Sequence, residues 1–252
     1  MTSLPTAVAD VVDILGAMPG VVAVVLGGSR AQGTHDTGAD WDLGLYYRST
    51  IDLTALSAIG TVHPPGSWGR IMNGGAWLTC GSERVDVLLR DLDTVDHWTR
   101  LANEGQFERD ALLGYLAGIP TYVLCAELAS CTTLVGELAI APAFPARLAE
   151  SAPHVWRFCR SFSLEYARAQ ARRGNVAGAV GQTATAAMEE GHAILCERGA
   201  WICNEKRLLS AAGLDAVHEL FSRAPSEREA LVAWVDEVAA RLESAGRPSP
   251  HR

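Results

Sequence analysis

An apolar run that stops abruptly at two glycines limits the folds open to this chain. Residues 21–26 are Val-Val-Ala-Val-Val-Leu, and Gly27-Gly28-Ser29 follows directly. A short run rich in β-branched residues and closed by a tight turn is typical of a buried strand. Glycines in such a turn let backbone N–H groups approach a ligand closely, and the serine adds a hydroxyl. We therefore expect a sheet whose first strand leads into a loop suited to phosphate oxygens.

Two acidic motifs follow this loop. Ten residues separate Ser29 from Asp40-Trp41-Asp42, and Asp86 lies between Val85 and Val87. The two-residue period of a strand would place Asp40 and Asp42 on one side, about 7 Å apart at the backbone. Converging carboxylates suit hard cations such as Mg²⁺. Each motif alone is common in turns, on exposed strand faces or at sheet edges, so the prediction depends on their order and spacing.

The remaining pattern predicts an α+β protein. In the first half it indicates three or four short strands between residues 21 and 90, with a hairpin that pairs residues 76–79 with 84–89. We expect a small mixed sheet flanked by helices in residues 1–138 and a C-terminal helical bundle in residues 139–252, the boundary falling near residues 134–145. A frayed tail is expected over residues 246–252. The predicted helices are residues 6–18, 146–172, 176–198 and 227–243.

Composition bears on location and partners. The formal charge of −8 disfavours nucleic acid as a partner and favours a small, cationic acceptor. The longest apolar stretch near the N-terminus, residues 21–26, is far too short to span a bilayer, so we expect a soluble cytoplasmic protein without a membrane partner. The six cysteines show no metal-ligand spacing and are expected to be reduced and mostly buried.

The glycine turn, the Asp40-Trp41-Asp42 motif and Val85-Asp86-Val87 together resemble the DNA polymerase β-like nucleotidyltransferase superfamily over residues 20–90. The segment Gly28-Ser29-Arg30-Ala31-Gln32-Gly33-Thr34 is similar to the opening of the small bacterial members, among them aminoglycoside, lincosamide and toxin-like enzymes. The resemblance implies ATP or another nucleoside triphosphate bound by the segment Gly28-Ser29-Arg30, with Ser29 at the β- and γ-phosphates. It also implies two Mg²⁺ ions, with Asp40 and Asp42 as ligands and Asp86 as third carboxylate. Ala39 departs from the family, where serine is common.

The second half contains Met188-Glu189-Glu190-Gly191-His192 and then Arg198-Gly199-Ala200-Trp201-Ile202-Cys203-Asn204-Glu205-Lys206-Arg207. With these segments it is similar to the C-terminal bundle of aminoglycoside adenylyltransferases. That resemblance implies that Lys206 reaches the triphosphate, and the alternative for Asn204-Glu205-Lys206 is a helix N-cap with a solvated first turn. The group that takes the acceptor's proton stays open among Asp86, Glu104 and Glu190. Three histidines could be mistaken for bases or ligands, but a loop or surface position is expected for each: His35, His97 and His192.

These residues lead to three hypotheses. The first is an enzyme that moves a nucleoside monophosphate, AMP from ATP in the simplest case, onto a hydroxyl of a small molecule such as an aminoglycoside-like antibiotic, with release of pyrophosphate. The second is a toxin–antitoxin nucleotidyltransferase that modifies a protein or a tRNA. The third is a catalytically silent nucleotide-binding protein. The sequence leaves the acceptor, the preferred base and the oligomeric state open.

Overall fold

The computed structural model describes residues 4–138 and 143–246. Part of the expected domain boundary, residues 139–142, and most of the expected tail, residues 247–252, lie outside the described residues. The strands are β1 (Val21–Leu26), β2 (Trp41–Tyr47), β3 (Gly60–His63), β4 (Gly75–Cys80), β5 (Glu83–Asp91), β6 (Arg109–Asp110), β7 (Ile119–Pro120) and β8 (Thr132–Gly136). The helices are α1 (Thr6–Gly16), α2 (Gly28–Ala31), α3 (Gly69–Met72), α4 (Leu92–Asn103), α5 (Val123–Ser130), α6 (Ala146–Arg172), α7 (Val176–Glu197), α8 (Leu208–Ala212), α9 (Ala216–Phe221) and α10 (Arg228–Ala245).

The chain divides into two compact units. The first, here called the sheet unit, comprises Met1–Arg100 and Leu124–Pro142. The second, the helical unit, comprises Leu101–Val123 and Ala143–Arg252. These units differ from the expected domains, because residues 101–123 precede residue 138 but belong to the helical unit. The domain boundary at residue 138 stays a prediction.

The sheet unit is built on a mixed six-stranded sheet with the strand order β3-β4-β5-β2-β1-β8. Strands β2 and β5 are parallel, whereas the other neighbouring pairs are antiparallel. The predicted hairpin is confirmed, since Ala76 pairs with Val87 and Thr79 with Arg84. Helices flank this sheet and a helical region follows it, so the α+β class is confirmed. Strands β3 and β8 were not predicted.

Alternating residues separate the two faces of the sheet. In β2 and β5 one set of side chains is almost fully buried and packs with the apolar side of α1. Asp42 and Asp86 belong to the alternate set, and both are half-buried. Because neighbouring residues of a strand point to opposite faces, both aspartates lie on the face opposite this core. The core set comprises Trp41, Leu43, Leu45, Val85, Val87 and Leu89.

The helical unit has its own core, formed mainly by α6, α7 and α10. The predicted helix over residues 146–172 coincides with α6, and the two later predictions agree with α7 and α10 to within two residues at each end. Asn175 caps α7, since its side chain accepts a hydrogen bond from the Gly178 N–H at 3.1 Å. Many residues of this core are alanines, and their small side chains permit the helices to pack closely.

Two expectations from composition can be compared with the structure. Within residues 4–138 and 143–246, the helices lack the combination of length and apolar character that a membrane crossing requires. All six cysteines are free thiols, but only Cys125 and Cys196 are buried and the other four are partly exposed. The expectation of mostly buried thiols was therefore wrong.

Candidate functional site

The glycine turn lies directly against the first acidic motif. The Gly27 N–H donates a hydrogen bond to the Asp42 carbonyl at 2.8 Å, which continues the β1–β2 pairing one residue beyond Leu26. Gly28 has φ +60°, and a Cβ placed on it would lie 1.8 Å from Asp42 Oδ2. The Gly28 backbone thus lies so close to the Asp42 carboxylate that no room is left for a side chain at residue 28. Both the left-handed conformation and the close approach require glycine at this position.

Two of the predicted carboxylates are brought together by strand register. Asp42 of β2 and Asp86 of β5 are direct partners in the parallel pair. Direct partners on neighbouring strands lie about 5 Å apart at the backbone and share a face. Both side chains are half-buried. Gly28, in the turn after β1, thus lies in one row with Asp42 of β2 and Asp86 of β5.

Asp40, the remaining predicted carboxylate, is paired with an arginine that the sequence did not single out. Arg84 Nε lies 2.6 Å from Asp40 Oδ1, and Arg84 Nη2 donates a weak hydrogen bond to the Gly38 carbonyl at 3.4 Å. Arg84 precedes Asp86 by two residues on β5 and so points to the same face. The Asp40 Oδ1 atom is shielded from solvent but accepts no well-aligned hydrogen bond. We therefore describe its contact with Arg84 as an ion pair.

Arg30 was expected to bind the nucleotide, and its guanidinium contacts the backbone that leads into β2. Nε and Nη2 donate to the Ala39 carbonyl at 3.2 and 2.6 Å, and Nε also lies 3.2 Å from the Asp40 carbonyl. The guanidinium carbon stacks 4.0 Å from the centre of the buried Trp41 ring. These contacts fix the backbone of the acidic motif. Ser29, in the single turn of α2, is half-buried.

The donor set suits magnesium in chemical type, because carboxylate oxygens are the hard ligands that Mg²⁺ prefers. Across the described ranges, however, no three His, Cys, Asp or Glu side chains converge as a ready metal site. Within the predicted set, the Asp40 carboxylate is engaged by its ion pair with Arg84. Two-ion binding thus stays a prediction, and it requires Asp40 to exchange its arginine partner for a cation.

Two other predicted site residues belong to the helical unit. Glu104 lies exposed in the turn after α4, and Lys206 lies exposed in the turn before α8. The Lys206 N–H donates to the Asn204 side-chain oxygen at 3.0 Å, which is a local turn of the kind expected from an Asn-Glu-Lys segment. The predicted roles of Glu104 as a base and of Lys206 at the triphosphate stay predictions.

Glu190, the third possible base, is enclosed by arginines. It is fully buried and lies 2.6 Å from Arg160 Nη1 and 3.4 Å from Arg157 Nε. Burial raises the pKa of the Glu190 carboxyl, and the two guanidiniums partly offset that rise. The neighbouring Glu189 is likewise buried, with Arg109 at 2.8 Å. These contacts give the two glutamates a structural explanation within the helical unit.

The expectation of a loop or surface position was wrong for His192. Its ring is 3% exposed and stacks on Trp156, with centroids 4.4 Å apart and planes at 11°. Burial lowers the pKa of His192 to about 3, so the ring is neutral at physiological pH. The clue in the sequence was its position in α7 directly before an apolar run, residues 193–196. His35 and His97 are exposed, as expected.

Comparisons with known proteins add little to this geometry. No protein-family model matches the chain, and no curated protein is similar to it in sequence. Among solved structures, it is similar to a nucleotidyltransferase-like protein from Exiguobacterium sibiricum 255-15. That similarity has a TM-score of 0.48 at 14% identity and covers 95% of this chain and 74% of the other.

Proposed function

We propose that this protein is a magnesium-dependent nucleotidyltransferase. It moves a nucleoside monophosphate, AMP from ATP in the first instance, onto a hydroxyl of a small molecule and releases pyrophosphate. The observation that supports this proposal is the row formed by the Gly28 backbone, Asp42 and Asp86. Such a row offers a glycine turn for phosphate oxygens next to carboxylates for cations, which are the two requirements of the reaction. The proposed location of this ATP-consuming reaction is the cytoplasm.

Each residue has a defined task in this scheme. The acceptor hydroxyl oxygen forms a bond to the α-phosphorus, the bond from that phosphorus to the bridging oxygen breaks, and pyrophosphate leaves with the electron pair. The turn at Gly28 and Ser29 would hold the β- and γ-phosphates, and Arg30 would keep the turn and the acidic motif in register. Asp86 would accept the proton of the hydroxyl, directly or through water.

Asp40, Asp42 and Asp86 would hold the two magnesium ions. Bound there, the ions would stabilise the negative charge on the transferred group and on the leaving pyrophosphate. Asp42 and Asp86 already lie side by side through their register, whereas Asp40 must first leave Arg84. The protein's own contribution is therefore to fix Asp42 and Asp86 side by side, with Asp40 two residues before Asp42.

The acceptor is proposed to be small and cationic, with an aminoglycoside-like antibiotic as one example. The formal charge of −8 supports this class, because an acidic surface attracts cations and repels polyanions. Lys206 and Glu104 keep their proposed roles at the triphosphate and as an additional base.

The decisive experiment follows pyrophosphate release and the destination of label from α-³²P-ATP in the presence of Mg²⁺ and a panel of hydroxylated amines. We expect label on a small molecule, and loss of transfer by at least about 100-fold in Asp42→Asn because a metal ligand is removed. Asp13→Asn on the exposed side of α1 is the matched control and should keep full activity. Circular dichroism should show that both variants are folded.

The outcome also separates the other hypotheses. Label on tRNA or on a protein would replace the small-molecule acceptor with a macromolecular one. Binding of Mg·ATP without pyrophosphate release over the whole panel would support a silent nucleotide-binding protein. Unchanged transfer by Asp42→Asn would contradict the proposed mechanism.

A further inference from the structure

Three aromatic side chains, one exposed and two half-buried, form a cluster in the sheet unit, and the proposed reaction gives them no task. We call Trp68, Trp77 and His63 the aromatic platform. The two indole rings stack with centroids 5.6 Å apart and planes at 28°. The His63 ring lies 4.3 Å from Trp77 and 4.8 Å from Trp68. Trp77 is nevertheless 52% exposed, so a large part of one indole is open to solvent.

Strand register places this platform on the same face as the carboxylates. Trp77 of β4 is the direct partner of Asp86 of β5, and direct partners share a face. Gly75 lies two residues before Trp77 on the same side of β4. A Cβ placed on Gly75 would lie 2.7 Å from the Trp68 ring, so the absence of a side chain leaves the space that Trp68 fills. His63 pairs with Gly75 across β3 and β4 and completes the cluster.

The platform therefore extends the row of proposed catalytic groups. From the turn after β1 across β2, β5 and β4, this row comprises Gly28, Asp42, Asp86 and Trp77. In this order Trp77 lies one strand beyond Asp86 and about three strands from the glycine turn. Neighbouring strands are about 4.8 Å apart. The exposed indole is next to the carboxylate proposed to accept the proton, on the side away from the phosphate loop.

The in-line geometry of phosphoryl transfer indicates which end of this row would hold the leaving group and which would hold the acceptor. In phosphoryl transfer the attacking and leaving oxygens are roughly in line on opposite sides of the phosphorus. If the turn at Gly28 holds the leaving pyrophosphate, the attacking hydroxyl approaches from the far end, where Trp77 lies. This step rests on the proposed function, because it takes the phosphate end of the row from that proposal.

From this geometry we infer that the aromatic platform is the acceptor subsite and that it binds a hydroxylated ring carrying an amine. An open indole face attracts both the flat side of a ring and a cationic nitrogen. The carboxylates of Asp42 and Asp86, farther along the same row, complement that positive charge. Trp77 is the specificity-determining residue, since its ring is the most exposed of the three and is nearest to Asp86 in register.

The test uses two ring compounds that differ only in charge, namely 4-aminocyclohexanol and its neutral counterpart 1,4-cyclohexanediol. Each is titrated by NMR into the full chain in the presence of Mg²⁺ and α,β-methylene-ATP, which cannot transfer its nucleotide. We expect the amine to bind at least several-fold more tightly than the diol and to shift the indole N–H signal of Trp77. Trp77→Ala should weaken amine binding about tenfold, whereas Trp77→Phe, which keeps an aromatic face, should stay within about threefold of the wild type.

Controls separate this inference from the proposed function. Phe158→Ala removes a ring that is 70% exposed on α6 and should leave amine binding unchanged. Binding of the nucleotide analogue should be the same in all Trp77 variants. If the analogue binds but Trp77→Ala binds the amine as the wild type does, or if amine and diol bind equally, the acceptor subsite is wrong and the enzyme proposal stands. If the analogue fails to bind the wild-type protein, the proposed function itself is wrong and the subsite falls with it.

Discussion

At the scale of single residues, Gly28 offers the most direct test of the site. Gly28→Ala places a methyl group where Asp42 Oδ2 now lies, so the carboxylate must move. We expect a large loss of nucleotide transfer, together with about 1–2 kcal/mol of stability because alanine is strained at φ +60°. Gly33→Ala is the matched control, since Gly33 has φ +67° with open space around it.

The two glycine variants share the backbone cost, whereas only Gly28→Ala displaces the Asp42 carboxylate and should lose activity. Urea unfolding measures the shared backbone cost, and the α-³²P-ATP assay measures the displaced carboxylate. Equal activity in the two variants would show that the position of Asp42 does not limit the reaction.

Arg84 should oppose metal binding at the same site. Its ion pair with Asp40 joins side chains that are 67% and 38% exposed, so it adds less than about 1 kcal/mol to stability. We expect Arg84→Ala to bind Mn²⁺, a spectroscopic substitute for Mg²⁺, several-fold more tightly because Asp40 is released. Electron paramagnetic resonance of free Mn²⁺ measures the affinity. Arg48→Ala, which breaks exposed ion pairs with Asp93 and Asp96, should change nothing, and unchanged or weaker Mn²⁺ binding in Arg84→Ala would contradict the competition.

At the scale of elements, one buried ion pair ties β5 to α5. Arg90 is 2% exposed and donates to both oxygens of Glu127, at 2.6 and 2.7 Å. We expect Glu127→Ala to destabilise the protein by about 3–5 kcal/mol, because a buried guanidinium loses its carboxylate. The double variant Arg90→Met/Glu127→Leu should recover most of that loss in urea unfolding. Equal stability of the single and double variants would show that packing, rather than charge, holds α5 to the sheet.

The elements that sequence predicted best are those with a strong local pattern. The bounds of α6 and β1 were predicted to the residue because helical periodicity and a run of β-branched residues are visible within the segment itself. Strand β8 was missed, since Thr132-Thr133 begins it and its pairing with β1 depends on residues more than 100 positions earlier. Strand β3 is four residues long and directly precedes two prolines.

The candidate site shows the same limit. Spacing and a family resemblance selected Asp40, Asp42 and Asp86 from the sequence. The ion pair of Arg84 and the platform around Trp77 depend on which residues face one another across strands, and a single sequence does not specify that register. The burial of His192 was missed for a similar reason, because residues 189–196 of α7 are all buried and that depends on the elements packed around the helix.

At the scale of the whole molecule, His192 makes stability depend on pH. Its folded-state pKa of about 3 lies below the usual 6.5, so the unfolded chain binds a proton that the folded chain excludes. Stability is therefore lost as the pH falls below 6.5, by about 2 kcal/mol between pH 6.5 and 5 from this group alone. His192→Phe keeps an aromatic ring against Trp156 and should remove that part of the pH dependence.

Urea unfolding at a series of pH values checks this expectation, with His218→Phe on the exposed side of α9 as control. Arg109 adds to the lowering of the His192 pKa. The raised pKa values of Glu189 and Glu190 act in the opposite sense, since their stabilising contribution declines as the pH rises above their unfolded value. That opposing effect is present in wild type and variant alike, so their difference isolates the histidine. Identical pH profiles for wild type and His192→Phe would contradict the assignment.

Because β8 follows β1 by more than 100 residues, the pairing of these two strands forms late during synthesis. During synthesis β1 emerges early, but its outer edge stays open until residues 132–136 have left the ribosome and paired with it. For that interval an almost purely apolar strand, Val-Val-Ala-Val-Val-Leu, presents unpaired backbone groups to any neighbouring chain. A chain that terminates before Thr132 would keep this edge permanently, so truncated products should aggregate while the full-length protein does not.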